Sequence, residues 1–107
     1  MTVYEQRTYT VKVGKMRELA DLYRDSAWPL FTRRGYDEAL VGYFTVDVGT
    51  LNQLVHLWKF ADDAGRRAFW AKLYGDEEFM DFARALRPLL LSQSNQLMVH
   101  AGWGPEP

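Results

Sequence analysis

The chain has 107 residues, a net charge of −1, two histidines and no cysteine. That length admits one domain, and the mixed, near-neutral charge excludes the basic footprint of a nucleic-acid binder. Missing cysteines exclude disulfides and thiolate chemistry, and no apolar run approaches the roughly 20 residues needed to span a bilayer. His56 and His100 are too far apart in sequence to specify a metal site, and no phosphate-binding glycine loop is present, so neither metal nor cofactor is expected. The N-terminus lacks the shape of a secretion signal, and a soluble, cytoplasmic protein is the expectation. Four Trp, six Tyr and six Phe are many for this length. Large rings of this kind fill cores, interfaces and ligand pockets.

Residues 3–13 alternate and favour β-branched and aromatic types, which predicts a strand. Glu5, Arg7 and Tyr9 share one of its faces. After Gly14 a helical stripe runs through Met16, Leu19, Tyr23, Ala27, Leu30 and Phe31. Pro29 lies inside that stripe and is expected to kink or interrupt the helix near Asp25 to Trp28. Gly35 is a natural stop. A second strand is expected over 39–47, with Leu40, Gly42, Phe44 and Val46 on one face and Val41, Tyr43, Thr45 and Asp47 on the other. A connection containing Gly49 and Asn52 leads to a third strand over 53–60, whose faces are Leu54, His56, Trp58 and Phe60 against Gln53, Val55, Leu57 and Lys59.

Asp62 or Asp63 caps a second helix with Ala68, Phe69 and Leu73 inward. Asp76 caps a third, with Phe79, Phe82, Ala83 and Leu86 buried, and Pro88 ends it. A last strand is expected over 94–101. The domain is then residues 1–102, with 103–107 as a flexible tail.

The order strand, helix, strand, strand, helix, strand is that of a ferredoxin-like α+β domain, a four-stranded antiparallel sheet with helices on one face only. Either assignment of the faces leaves large apolar groups on the uncovered side, Tyr43 or Phe44 and Leu57 or Trp58. Patches of that kind are rarely bare on monomers, so a homodimer stacked sheet to sheet is expected, with a chamber created by the second copy.

Three segments resemble one family: Tyr4 to Lys15, Leu40 to Phe60 and Arg87 to Met98. The middle one is the most telling, with Gly42-Tyr43-Phe44, then Gly49, then Asn52-Gln53-Leu54-Val55-His56-Leu57-Trp58. Together they are similar to the NIPSNAP domain over nearly the whole chain, departing from it at Gln6 and Val13. The resemblance implies a dimeric α+β barrel, two sheets face to face around a central cavity. Eukaryotic members of the family are associated with mitochondria and with vesicle or membrane traffic. Relatives at the level of fold include monooxygenases, haem-degrading enzymes and dehalogenating enzymes, which is analogy alone.

The ligand-pocket candidates are Glu5, Arg7, Tyr9, Tyr43, His56 and Trp58. A neutral imidazole near pH 7 serves as base or polar anchor, and Trp58 as a flat wall. Arg7 suits an anion, with Glu5 tuning it and Tyr9 donating a hydrogen bond. The competing reading makes the same residues a satisfied interior, with Glu5 and Arg7 an ion pair that fixes one arrangement. Three functions follow: small-molecule binding in the barrel, a non-catalytic dimeric interaction module, or a cofactor-free monooxygenase or isomerase. No spacing fixes a nucleophile, so no catalytic residue is assigned.

Overall fold

A computed structural model describes residues 1–107. Strands β1 (Val3–Val11), β2 (Leu40–Thr45), β3 (Gln53–Phe60) and β4 (Leu90–Met98) form one antiparallel sheet in the order β2-β3-β1-β4. Helices α1 (Met16–Leu22), α2 (Trp28–Arg34), α3 (Asp63–Tyr74) and α4 (Glu77–Leu86) complete the ferredoxin-like order. The core is the layer between helices and sheet. Val11, Leu54, Trp58 and Phe60 of the central strands meet Leu19, Leu30, Phe31, Leu73, Phe82 and Leu86 of the helices there. No helix is long and apolar enough to cross a membrane.

The two central strands alternate as their sequences require. Glu5, Arg7, Tyr9 and Val11 of β1 are buried, and so are Leu54, His56, Trp58 and Phe60 of β3. The pairing sets Glu5 against Trp58, Arg7 against His56 and Tyr9 against Leu54. Strand β2 departs from simple alternation. Its register against β3 shifts between Leu40 and Gly42, so Leu40 faces Trp58 while Tyr43 faces His56. An extra residue in one strand reverses the sidedness of everything beyond it. Leu40 and Tyr43 therefore share the helix side, and Phe44 points to the other.

The α-helix is interrupted where Pro29 predicts, and the interruption takes the form of a π-helical turn over Tyr23–Ala27 that joins α1 to α2. The Trp28 N–H donates to the Tyr23 carbonyl, five residues back, and Pro29 sits in the first turn of α2. Pro29 has no N–H to offer a preceding carbonyl, and one wide turn absorbs that defect without ending the rod. Tyr23 and Ala27 consequently both face the core. Gly35 then ends α2 at φ 78°.

Asp62 caps α3 by accepting from the Gly65 N–H at 2.7 Å, and Asp76 caps α4 through the Glu78 and Phe79 N–H groups at 3.0 and 3.4 Å. Ala68, expected inward, is exposed; Phe69 and Trp70 take the inward positions with Leu73. The last strand begins at Leu90 rather than Ser94 and ends at Met98. A short 3-10 turn at Arg87–Leu89 carries Pro88, and the polar run that follows reads as loop by composition. It is an edge strand beside β1, where exposed polar side chains are at home. Beyond it the chain turns back, and the Tyr4 hydroxyl donates to the Pro107 carbonyl at 2.9 Å.

The sheet's second face carries no helix. Thr8 and Thr10 lie near its centre, with Val55, Leu57 and a 56% exposed Phe44 beside them.

Candidate functional site

Five of the six candidate residues lie on β1 and β3, and Tyr43 joins them from β2 because of the bulge. All six face the helices of their own chain, not the helix-free side. The expectation that a second copy would create the chamber is thereby corrected. One sheet face does lack cover, but strand periodicity turns these side chains toward the other. The enclosed space belongs to a single chain.

Glu5 is 0% exposed and its carboxylate is saturated. Oε2 accepts from Arg7 Nη1 at 3.0 Å and Asn95 Nδ2 at 3.3 Å; Oε1 accepts from Trp70 Nε1 at 2.9 Å and Arg66 Nη1 at 3.0 Å. A carboxylate has about four acceptor positions, so none is left for a substrate. Glu5 ties β1 to α3 and β4. Arg7 lies 4.3 Å from the Trp70 ring centroid, and its Nη2 donates to the Tyr74 hydroxyl at 3.4 Å. Together these contacts hold α3 against the sheet.

His56 lies beside Arg7, on the neighbouring strand. Tyr9 and Tyr43 meet its ring edge-on at 4.6 and 5.0 Å between centroids, and the Tyr23 hydroxyl stands 3.4 Å from Nε2. Burial, reinforced by the charge of Arg7, pushes the imidazole pKa down to about 3, so His56 is neutral at pH 7. Burial also raises the Tyr23 and Tyr43 phenols above the ordinary tyrosine value. The result is a set of neutral polar groups inside an aromatic box. General-base work near pH 7 falls outside the range of an imidazole depressed this far.

Of the four buried polar atoms without a partner, three lie in that box, His56 Nδ1, Tyr43 Oη and Trp58 Nε1; the fourth is Arg7 Nε, beside it on β1. The residues of the first three all line one internal cavity of about 20 Å³, walled further by Tyr9, Tyr23 and Trp70. That is room for about one water-sized group. A second depression, of about 80 Å³, shares Tyr9, Tyr74, Phe79 and Leu86 with the cavity. Tyr74, 45% exposed, is the one of these four that reaches the surface.

The largest surface groove, about 370 Å³ between the first helix and α4, is a poorer candidate. Its acids are spent on arginines, Asp25 on Arg24, Glu78 on Arg33 and Asp81 on Arg84. No group of acidic and histidine side chains is placed to hold a metal ion.

Tyr23, Trp70 and Tyr74 are site residues that sequence patterning did not single out. Tyr23 lies in the helical stripe and reads there as core. Trp70 and Tyr74 are four apart on α3, one helical turn, and that spacing is the signal that marks a shared face.

The comparisons with known proteins agree on one family. The NIPSNAP family profile matches residues 4–105. NipSnap homolog 2 of Homo sapiens is 35% identical over 108 aligned residues, covering 98% of this chain and 37% of its own length. NipSnap homolog 3B of Mus musculus is 33% identical over 81 residues, covering 75% of this chain and 31% of its own length. The chain thus spans about a third of the length of the curated relatives it matches. A solved NIPSNAP family protein from Agrobacterium tumefaciens superposes with a TM-score of 0.90 at 28% identity, covering 98% of both chains. A cofactor-independent oxygenase from Streptomyces nogalater shares the fold at a TM-score of 0.65 and 22% identity, again over 98% of both chains. A profile match over almost every residue, carried by the same strand-helix order and the same central segment, makes this chain a member of the NIPSNAP family.

Proposed function

We propose that the chain binds a small, planar, mostly apolar molecule in the chamber between its sheet and its own helices. One observation carries the reading. Three partnerless polar atoms sit on residues of the same aromatic cavity. Leaving a buried donor or acceptor unpaired costs about 1–3 kcal/mol, and folded proteins pair nearly all of them. The space beside them holds about one water-sized partner at rest, and a guest with a polar atom there takes that place. A guest that fills the space and meets them recovers the cost. The cavity is small at rest, so entry requires Tyr74 to swing out and merge the inner space with the second depression. A narrower reading, turnover of the guest as in the oxygenase that shares the fold, adds a requirement for catalysis on top of binding.

The test is a melting-temperature screen of small aromatic compounds, repeated on Leu86→Phe, which adds volume at the wall common to both spaces. A ligand present at about 100 times its Kd stabilises the folded chain by about 2.7 kcal/mol. Compounds that stabilise the parent and not the filled variant support the chamber. If stabilisation is the same in both, the binding lies elsewhere and the reading fails.

The assembly proposed alongside is a homodimer joined through the helix-free sheet face, where Phe44, Val55 and Leu57 lie together. Its support is apolar surface that the chain does not cover itself, and two-fold pairing is the commonest way such surface is buried.

A further inference from the structure

The polarity of the chamber defines its guest more narrowly than its shape does. Trp58 Nε1 can only donate. For His56, the hydrogen count assigns the tautomer. If the Tyr23 O–H donates to Nε2, only the Nδ1–H remains unpaired. If instead Nε2–H donates, both the Tyr23 hydrogen and the Nδ1 lone pair are stranded. The first arrangement leaves fewer orphans, and a phenol is the stronger donor of the two. Nδ1 then carries a hydrogen into the interior. Tyr43 offers either polarity. The chamber therefore holds two fixed donors and one group, Tyr43, that can donate or accept.

Charge supplies the second constraint. No residue lining the cavity is ionised at pH 7: the walls are phenols, indoles, phenyl rings and leucines, with His56 kept neutral by burial and by Arg7. Arg7 does not line the cavity; its Nη1 is engaged by Glu5 and its Nη2 by Tyr74, and only its Nε is left without a partner. A carboxylate guest would be buried without a counter-charge, which costs far more than an unpaired dipole.

Resting on the chamber reading above, we infer that the site selects a neutral carbonyl oxygen on a planar conjugated body, received by the Trp58 indole N–H and the His56 Nδ1–H. An apolar isostere fits the same walls but leaves both donors stranded. A guest whose only polar group is a donor meets Tyr43 alone.

Acetophenone and α-methylstyrene form the decisive pair of probes, since they differ only by oxygen against methylene. Their Kd values are measured by titration in two-dimensional 1H–15N spectra, where the Trp58 indole N–H gives its own signal. Acetophenone should bind at least about tenfold more tightly, the discrimination expected when buried donors are met or left unmet. It should also move the Trp58 indole proton downfield, and benzoate should bind more weakly than acetophenone. Trp58→Phe keeps the ring wall and removes the N–H, so the preference should fall at least threefold while α-methylstyrene still binds. Should Trp58→Phe fail to fold, the downfield shift in the parent and the benzoate comparison carry the test. Equal binding of the isosteres with perturbed chamber signals overturns the carbonyl inference and leaves the chamber standing. Absence of any perturbation at Trp58 and His56 by both probes overturns the two together.

Discussion

Acidification should unfold this protein through His56 in a way that a single substitution reveals. Its ring is buried and neutral in the fold, with a pKa pushed down to about 3 from the ordinary 6.5. The unfolded chain binds a proton through pH 6.5 and the folded chain does not until about pH 3. Stability is therefore full above pH 6.5 and is lost as the pH falls toward 3. Between pH 8 and pH 5 the loss from this group alone is about 2 kcal/mol, roughly 8 °C in Tm for a domain of this size. The neighbours that face His56 do not blur the window. Arg7 stays charged, and Tyr23 and Tyr43 titrate above the ordinary range. Urea unfolding at fixed protomer concentration, followed by circular dichroism at intervals from pH 8 to pH 5, gives the curve for the parent and for His56→Gln. Carboxylates contribute equally to both, so the difference isolates the imidazole. The variant will be less stable at pH 8, but its curve should be flatter by about 2 kcal/mol over the interval. Parallel curves would refute the claim that burial holds the ring neutral.

Glu5→Gln withdraws the charge that four donors converge on, and leaves Arg7 buried without its partner. A loss of about 3–5 kcal/mol in urea unfolding is expected, against less than 1 kcal/mol for a surface exchange such as Glu77→Gln. Phe44→Glu places a charge on the helix-free face, on the edge strand β2. Analytical ultracentrifugation should then show the parent as two chains and the variant as one, with unchanged circular dichroism; a parent that sediments as one chain removes the proposed dimer without touching the chamber. Tyr74→Ala should open a passage between the inner cavity and the second depression, raising the association rate of any chamber ligand by about tenfold in stopped-flow tryptophan fluorescence, on the view that the ring gates entry.

Alternation in β1 and β3, the helical stripes and the aspartate caps determined the element order, the helix-on-sheet layers and the sharing of one face by Glu5, Arg7 and Tyr9. Such features are local: they follow from period two, period 3.6 and one capping hydrogen bond, and a single chain displays them. Tertiary pairing decided the rest. The bulge beside Val41 turns Tyr43 toward His56 and Phe44 away, and no alternation rule anticipates an inserted residue. Pro29 marks where the helix is interrupted, but that the interruption is a π turn, which delivers Tyr23 to Nε2, follows from packing. The largest reversal concerns the chamber. A sequence shows which residues lie on one side of a strand, but only packing shows which side the helices cover. Here they cover the side that carries the charges, so Glu5 became a saturated tie, and the unpaired donors were left beside it in the same layer, on His56 and Trp58.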